Sequence, residues 1–246
     1  QAEDGKRDAR SSLVGSEMCI RDSIAGASTF LTAGMLPHFG VRADDKEAAS
    51  NAIPPSEALE RLKEGNTRFA ADGGKDIDFS AKRAARVKAQ HPIAGILSCA
   101  DSRVPPEIIF DQRPGDLFVS RDAGNVVSSY GLASFEFAVT SLGVPLIMVL
   151  GHKGCGVVLS ALAASTQRKE LPGHLPELVK AIEPAVITAH GKHPSDFLAA
   201  SIEENVRLGM KRLKTKSKII GEAVMAGKLK IAGGVYDLET GVVKLV

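Results

Sequence analysis

The stretch Pro92–Val104, "PIAGILSCADSRV", decides the fold class of this chain. Its first half, Pro92–Ser98, is a nearly continuous apolar run of strand length, which is typical of a strand buried on both faces in a parallel sheet. Its second half places a thiol, a carboxylate and a guanidinium at alternate positions, on Cys99, Asp101 and Arg103. In open α/β sheets, ligands bind at the carboxyl ends of the strands. The stretch therefore predicts a buried parallel strand that ends at a functional site.

Two later apolar runs, "DLFVS" at Asp116–Ser120 and "PLIMVLG" at Pro145–Gly151, have the same strand-like character. The segments predicted to be helical are Ser80–Ala89, Pro105–Phe110, Tyr130–Leu142, Val157–Ala164, Leu175–Ala189 and Phe197–Lys214. The closing stretch, Gly227–Val246, predicts a strand, a turn and a second strand. Strands and helices alternate without a break in composition. We therefore expect a single α/β domain with a mostly parallel central β-sheet flanked by helices.

The segment Pro54–Asp72 predicts an N-terminal helix, with Ser56 as its N-cap. Leu59, Leu62 and Phe69 recur at helical spacing and share one apolar face. This face has two possible partners. It could cover the chain's own sheet, or it could pack on a neighbouring copy of the chain.

The N-terminal residues 1–23 do not read as natural protein. Leu13–Asp22, "LVGSEMCIRD", back-translates to a sequence that resembles a transposase adapter used in sequencing libraries. We therefore interpret residues 1–23 as an artefactual, adapter-derived tail and exclude them from the fold prediction. A natural polar tail is the alternative.

The next segment, Ile24–Leu36, is an apolar stretch with the length of a signal-peptide h-region, and it is too short to span a bilayer. We interpret residues 24–43 as a signal-peptide remnant, which predicts a periplasmic or secreted protein. Without a signal, the protein would be cytoplasmic. Residues 44–246 then form the domain, including an N-terminal helical arm at 54–90.

Composition excludes several classes of function. The net charge of +2 is too small for a nucleic-acid-binding or polybasic membrane-binding surface. The 3 cysteines are too few for a disulfide framework. Without Cys19 of the N-terminal tail, Cys99 and Cys155 are the remaining thiols, so their positions need an explanation.

A second polar motif, "GHKGCG" at Gly151–Gly156, follows the third predicted strand. It places His152 and Cys155 three residues apart, near the expected position of Cys99 and Asp101. Two cysteines, a histidine and an aspartate form a ligand set that suits tetrahedral zinc. A buried cysteine or histidine alone is usually structural, but here they coincide at two strand ends. The sequence therefore predicts a zinc site.

Arg103 leaves two states open for Asp101. A guanidinium two residues away can bind the carboxylate with two hydrogen bonds, and an aspartate held in this way is a poor metal ligand. Alternatively, Asp101 can be the fourth zinc ligand. A structural zinc site has four protein ligands, whereas a catalytic one has three and a water.

Together, "CADSRVP" at Cys99–Pro105 and "GHKGCG" at Gly151–Gly156 resemble the C-x-D-x-R and H-x-x-C motifs of the β-class carbonic anhydrases. The resemblance extends from about Pro54 to the C-terminus. It implies a zinc-dependent carbonic anhydrase that reversibly hydrates carbon dioxide to bicarbonate and a proton by means of metal-bound hydroxide. It also implies one Zn²⁺ per chain and a homodimer or homotetramer, with no nucleic-acid or membrane partner.

The resemblance also assigns roles to individual residues. It implies that Cys99, His152 and Cys155 are zinc ligands, and that Asp101 and Arg103 form a catalytic dyad.

Four further residues correspond to the substrate pocket of the plant-type subgroup: Gln90, Phe118, Ala123 and Phe137. The last of these replaces a tyrosine of the family. The other subgroup has an allosteric bicarbonate site with a tryptophan where this chain has Ile96, and the chain has no tryptophan. The resemblance is therefore to the plant-type subgroup. Asp122 stands where the family often has asparagine.

Three other functions remain open for the same residues. A related zinc enzyme could hydrolyse carbon disulfide or carbonyl sulfide. A non-catalytic zinc protein would keep Asp101 permanently bound to the metal. A redox protein would use Cys99 and Cys155 as a dithiol.

Overall fold

The computed structural model describes residues 51–74, 86–167 and 171–246, all of which belong to the compact unit Asp45–Val246. The proposed tail at 1–23, the proposed signal remnant at 24–43 and most of the predicted helix Ser80–Ala89 lie outside the described residues. The described residues include both ligand-bearing motifs.

A five-stranded sheet in the order β2-β1-β3-β4-β5 forms the centre of the described unit. Its strands are β1 (Ala94–Ser98), β2 (Leu117–Arg121), β3 (Leu146–His152), β4 (Lys230–Tyr236) and β5 (Val243–Leu245). The first four strands run parallel, and β5 is antiparallel to β4. All residues of β1 and β3 are buried, whereas the edge strand β2 buries only Leu117. The predicted α/β class, with a mostly parallel sheet and a terminal hairpin, is confirmed.

Helices cover both faces of this sheet. In the described chain they are α1 (Pro55–Ala70), α2 (Pro106–Ile109), α3 (Ser129–Ser141), α4 (Gly156–Gln167), α5 (Leu175–His190), α6 (Phe197–Lys216) and α7 (Lys218–Met225), with a short 3-10 turn at Ala123–Asn125. All except α7 match predicted segments to within a few residues. Within the described ranges, none of these helices has the length and apolar character needed to cross a membrane.

The unpredicted helix α7 begins directly after α6. The intervening residue, Ser217, has an extended backbone, and its hydroxyl accepts a hydrogen bond from the Ile220 N–H. A serine in this position satisfies one of the free N–H groups at a helix start. Ser217 therefore ends one helix and caps the next.

The N-terminal helix α1 begins at Pro55, with Pro54 at the N-cap position and no side-chain cap. The prediction of Ser56 as the N-cap is therefore wrong. Proline fits the first position of a helix because its backbone nitrogen has no hydrogen to satisfy there. The proline pair thus starts the helix earlier than the serine signal suggested.

The apolar face of α1 covers the chain's own sheet. Leu59 and Leu62 belong to the same buried cluster as Ile96 of β1 and Met148 of β3, and Phe69 packs beside this cluster. On the same helix, the Asn66 side chain bonds to backbone groups of the β4–β5 hairpin. Of the two partners considered for this face, the structure shows the chain's own sheet.

On the other face of the sheet, α6 approaches the strands closely because glycines leave room for it. A Cβ atom at Gly233 of β4 would lie 2.5 Å from the Met210 sulfur, and one at Gly151 of β3 would lie 2.7 Å from a Val206 methyl. Such distances are well inside van der Waals contact. The close packing of α6 fixes the end of β3, where the second motif begins.

Candidate active site

Two loops leave the sheet side by side and bring the predicted ligands together. β1 and β3 are parallel neighbours, with Ser98 paired to Leu150, so their carboxyl ends lie at the same edge. We call Cys99–Arg103 the first ligand loop and His152–Cys155 the second ligand loop. Their adjacency follows from the order of the strands, which brings together motifs that are distant in the sequence.

Three buried side chains form a group that could hold a metal ion. The Sγ atoms of Cys99 and Cys155 and a ring nitrogen of His152 all lie within 4.8 Å of one another. Within the described part of the chain, this is the only such group of three or more histidine, cysteine or acidic residues. Soft thiolates together with an imidazole are the ligands that zinc prefers.

The histidine of this group is oriented for binding through Nε2. Its Nδ1 lies 2.9 Å from the Lys153 carbonyl oxygen, which can only accept a hydrogen bond, so Nδ1 carries the hydrogen. Nε2 then presents a lone pair, and it is buried without a hydrogen-bond partner. A buried polar nitrogen without a partner is costly unless something binds it. The residues therefore fit a zinc ion.

The two thiols are free and influence each other's ionisation. A hydrogen bond between them lowers the pKa of Cys99 and raises the pKa of Cys155. The Gly124 N–H also donates to Cys99 Sγ, at 3.3 Å. Burial alone would lower the pKa of His152, but the adjacent Cys99 thiol outweighs burial and raises that pKa. The group thus stabilises a thiolate, the form that binds metals.

The carboxylate of Asp101 is held by Arg103. The guanidinium donates from Nε to Oδ1 at 3.0 Å and from Nη2 to Oδ2 at 2.7 Å, and the Arg103 backbone N–H also donates to Oδ1. This pairing keeps the pKa of Asp101 well below its usual range. Oδ2 nevertheless lies 3.9 Å from His152 Nε2, so the carboxylate borders the metal-binding group. Of the two states left open by the sequence, the structure contains the Asp101–Arg103 pair.

Sequence reasoning missed Arg121. This residue ends β2 and is paired in register with Ser98, directly before the first ligand loop. Its Nε donates to the Cys99 carbonyl at 3.0 Å, and its Nη2 donates to the Asp101 carbonyl. The only available signal was its position at the end of a predicted strand, and that signal requires knowing that β2 lies next to β1.

An ion pair beside the second ligand loop was also missed. Lys153 Nζ lies 2.5 Å from Asp237 Oδ2, and the Lys153 N–H donates to the Tyr236 carbonyl at 2.8 Å. The hydrogen bond from Lys153 lowers the pKa of Asp237. Asp237 follows β4 directly, so this contact also depends on the strand order.

Asp122 directly precedes the 3-10 turn, and its side chain contacts the N-terminus of α3. Its Oδ2 accepts a hydrogen bond from the Ser128 hydroxyl at 2.9 Å, and that hydroxyl accepts one from the Gly131 N–H. A negative charge near a helix N-terminus is favourable because the helix dipole is positive there. Asp122 therefore supports the cap of the helix that follows the site.

The predicted substrate residues are divided between two places within one chain. Ala123 immediately precedes Gly124, which contacts Cys99. Phe118 pairs in register with Gly95, which places it about 13 Å before Cys99 along the strand direction. Phe118 contacts Phe137, with ring centroids 6.4 Å apart, and Phe137 is 51% exposed. Gln90 is exposed and precedes the opposite end of β1.

A separate apolar cavity of about 460 Å³ lies beside the start of α5. It is lined by residues 126–128 and by side chains from His174 to Ala181, and none of the three potential ligands is among them.

Comparison with known proteins shows similarity to carbonic anhydrases. A family model described as "Carbonic anhydrase" matches residues 94–243. A relative named "Carbonic anhydrase 2", from Mycobacterium tuberculosis, is 42% identical over 191 residues, which cover 76% of this chain and 90% of the relative.

Solved structures agree with the sequence matches. A β-carbonic anhydrase of Aspergillus fumigatus superposes with a TM-score of 0.62 and 26% identity, covering 78% of this chain and 89% of the other. A chain described among tetrameric β-carbonic anhydrases from Sordaria macrospora shares the fold, with a TM-score of 0.61 and 24% identity, covering 78% of this chain and 95% of the other.

Proposed function

The chain belongs to the β-carbonic anhydrase family and is a carbonic anhydrase, and from that premise we propose that Cys99, His152 and Cys155 bind one zinc ion per chain. The proposed reaction is the reversible hydration of carbon dioxide to bicarbonate and a proton. The observation that carries it is the buried cysteine–histidine–cysteine group with an unpartnered Nε2. The carboxylate of Asp101 borders this group, but it is bound by Arg103 instead of acting as a ligand.

Three protein ligands leave a fourth tetrahedral position for water, which is the arrangement of catalytic zinc sites. Zinc bound there would supply a Lewis acid that makes water a nucleophile near neutral pH. A purely structural zinc site would need Asp101 as the fourth ligand. The two hydrogen bonds from Arg103 to the Asp101 carboxylate favour the catalytic alternative.

Asp101 and Arg103 have separate roles in this proposal. With its pKa lowered by Arg103, Asp101 is ionised at neutral pH and can only accept hydrogen bonds. Its Oδ2 accepts a hydrogen bond from the attacking water and so directs an oxygen lone pair toward the carbon of CO2. Arg103 orients the carboxylate and keeps it from acting as a ligand.

Gln90, Phe118, Ala123 and Phe137 are the proposed substrate-binding residues. An apolar lining suits uncharged CO2, and the Gln90 amide can donate to the oxygen that becomes negative. Because Gln90 and Phe118 lie toward the other end of β1 from Cys99, we propose that a homodimer or homotetramer brings them to the site of a second copy. The half-exposed Phe137 ring supports such a contact.

The test is stopped-flow CO2 hydration from pH 6.5 to 9, with zinc analysis on the same full-length protein. We expect one zinc per chain and activity that rises with pH. Asp101→Asn should keep the zinc and lose about 10²-fold or more in kcat/KM, whereas Cys155→Ser should lose both. Asp116→Asn, in the turn before β2, is the matched control and should behave like the wild type.

The opposite outcomes separate the alternatives. Zinc without hydration at any pH would contradict the proposed reaction while leaving the metal site intact, and carbon disulfide and carbonyl sulfide would then be the substrates to assay. A protein that holds no zinc but cycles between dithiol and disulfide would indicate redox chemistry instead.

We also propose that residues 24–43 direct export and that the catalytic domain is 44–246. The apolar stretch Ile24–Leu36 supports this proposal by its length. Expression of residues 24–246 in a bacterium, followed by fractionation and mass spectrometry, tests it. A periplasmic product that starts near Asp44 is expected, and an uncleaved cytoplasmic product would contradict it.

A further inference from the structure

The side chain of Arg121 connects the two functional parts of the first ligand loop. Its Nε donates to the carbonyl of Cys99, the proposed zinc ligand, at 3.0 Å. Its Nη2 donates to the carbonyl of Asp101, the proposed reactive carboxylate. One planar guanidinium therefore holds both residues that flank Ala100.

The first ligand loop lies beyond the sheet. β1 ends at Ser98, and Ala100 and Arg103 are exposed. Arg121 is the last residue of the neighbouring strand β2 and is paired in register with Ser98, so its backbone is fixed at the base of the loop. The guanidinium thus connects the loop to a residue whose backbone is held in the sheet.

The carbonyl contacts complement those made by the side chains. The Sγ of Cys99 accepts a hydrogen bond from the Gly124 N–H, while its carbonyl accepts one from Arg121. The carboxylate of Asp101 is held by Arg103, while its carbonyl is held by Arg121 and by the Val104 N–H. Both residues are therefore fixed at the backbone and at the side chain.

We propose that Arg121 is a positioning residue, which sets the distance between Cys99 Sγ and the Asp101 carboxylate by bonding to both carbonyls. Its guanidinium acts through the two backbone carbonyls, which makes it distinct from the side chains that would bind the metal. The proposal rests on the proposed function for its effect on activity. The fork geometry matters because charge-assisted hydrogen bonds from two nitrogens of a rigid plane define an orientation that a single charge does not.

The test compares Arg121→Ala and Arg121→Lys with Arg113→Ala, a matched control that removes an arginine before the other end of β2. Two readouts are measured on the zinc-loaded full-length protein: the rate of zinc transfer to a chelator, and kcat/KM for CO2 hydration from pH 6.5 to 9. Thermal unfolding of each variant shows that it is folded.

We expect Arg121→Ala to transfer zinc about 10-fold faster and to lose about 10-fold in kcat/KM, as for other residues that orient metal ligands. Arg121→Lys keeps the charge but loses the fork, so it should resemble Arg121→Ala in both rates while keeping the wild-type midpoint of the pH profile. Arg113→Ala should match the wild type.

Wild-type zinc transfer in Arg121→Ala would overturn the proposal. Full recovery in Arg121→Lys would also overturn it, since charge alone would then explain the effect. If the wild type holds zinc but does not hydrate CO2, the proposed function fails, and the zinc-transfer comparison still decides the role of Arg121.

Discussion

The two ligand loops leave neighbouring buried strands, but they are held by different interactions. In the second loop, His152 is fully buried, and its position is set by backbone groups, namely the Lys153 carbonyl and the bond from Lys153 N–H to Tyr236. In the first loop, Asp101 is held by the charged side chains of Arg103 and Arg121, both of which are exposed.

The difference indicates that the two loops have different roles. A fully buried imidazole that is held by a backbone carbonyl has little freedom to move, which suits metal retention. Charged side chains at the surface hold a carboxylate whose hydrogen-bond acceptors must face water and substrate. Substitutions of His152 and Cys155 in the second loop should therefore affect metal content and stability first. In the first loop, substitutions of Asp101 and Arg103 should affect catalysis first, whereas Cys99 belongs to the metal-binding group.

The largest effect is expected for His152→Ala. Removing the buried imidazole leaves two thiols and no third ligand, so zinc per chain should fall from one to near zero after dialysis, and hydration should fall with it. Elemental analysis checks this result. His174→Ala, which removes an exposed imidazole, is the control and should keep its zinc. Full zinc content in His152→Ala would remove the distinction between the loops.

The next largest effect is expected for Arg103→Gln. It should keep one zinc per chain and lose about 10²-fold in kcat/KM, because Asp101 is then no longer oriented toward the attacking water. Stopped-flow hydration and zinc analysis measure the two quantities separately. Arg61→Gln, which removes an exposed arginine of α1, controls for the loss of charge. Zinc loss in Arg103→Gln without loss of activity per zinc would reverse the assignment of the two loops.

A smaller effect, on stability, is expected at the glycines of the second motif. A Cβ at Gly151 would lie 2.7 Å from a Val206 methyl, so Gly151→Ala should cost about 1–3 kcal/mol by overpacking. At Gly154, φ is +66° and nothing lies within 4 Å of the added carbon, so Gly154→Ala should cost only backbone strain of about 1 kcal/mol. Urea unfolding gives both values. A larger cost at Gly154 than at Gly151 would contradict the role of close packing between β3 and α6.

The smallest effect is expected for Asp237→Asn, because its partner Lys153 is largely exposed and exposed ion pairs contribute little. Its lowered pKa gives a stabilisation that is present above the ordinary value of 3.8 and is lost as the pH falls through the folded-state pKa. The Tm of Asp237→Asn should therefore lie slightly below that of the wild type at pH 7 and converge with it toward pH 3, with unchanged zinc content. A Tm difference that grows at low pH would contradict this.

Much of this fold follows from local sequence patterns. The runs that became β1, β2 and β3 are apolar throughout, and such runs predict strands of a parallel sheet without any tertiary information. The side chains of the metal-binding group were also predictable, because they lie at the ends of such strands or within three residues after them.

The contacts that depend on strand order were not predictable in the same way. Arg121 reaches Cys99 because β2 lies beside β1, and Lys153 reaches Asp237 because β4 lies beside β3. The sequence specifies the strands but not their neighbours. The start of α7 was missed for a more local reason, since it depends on a single capping serine, Ser217.

The order of the strands has a consequence for folding. Cys99 and His152 are separated along the chain by α2, β2 and α3, and they meet only when β1 and β3 are paired. An ion held between them closes this long loop, and its affinity for the unfolded chain, in which the ligands are dispersed, is much lower. Metal binding and the pairing of β1 with β3 therefore stabilise each other. Removing the ion should therefore weaken the pairing at the centre of the sheet.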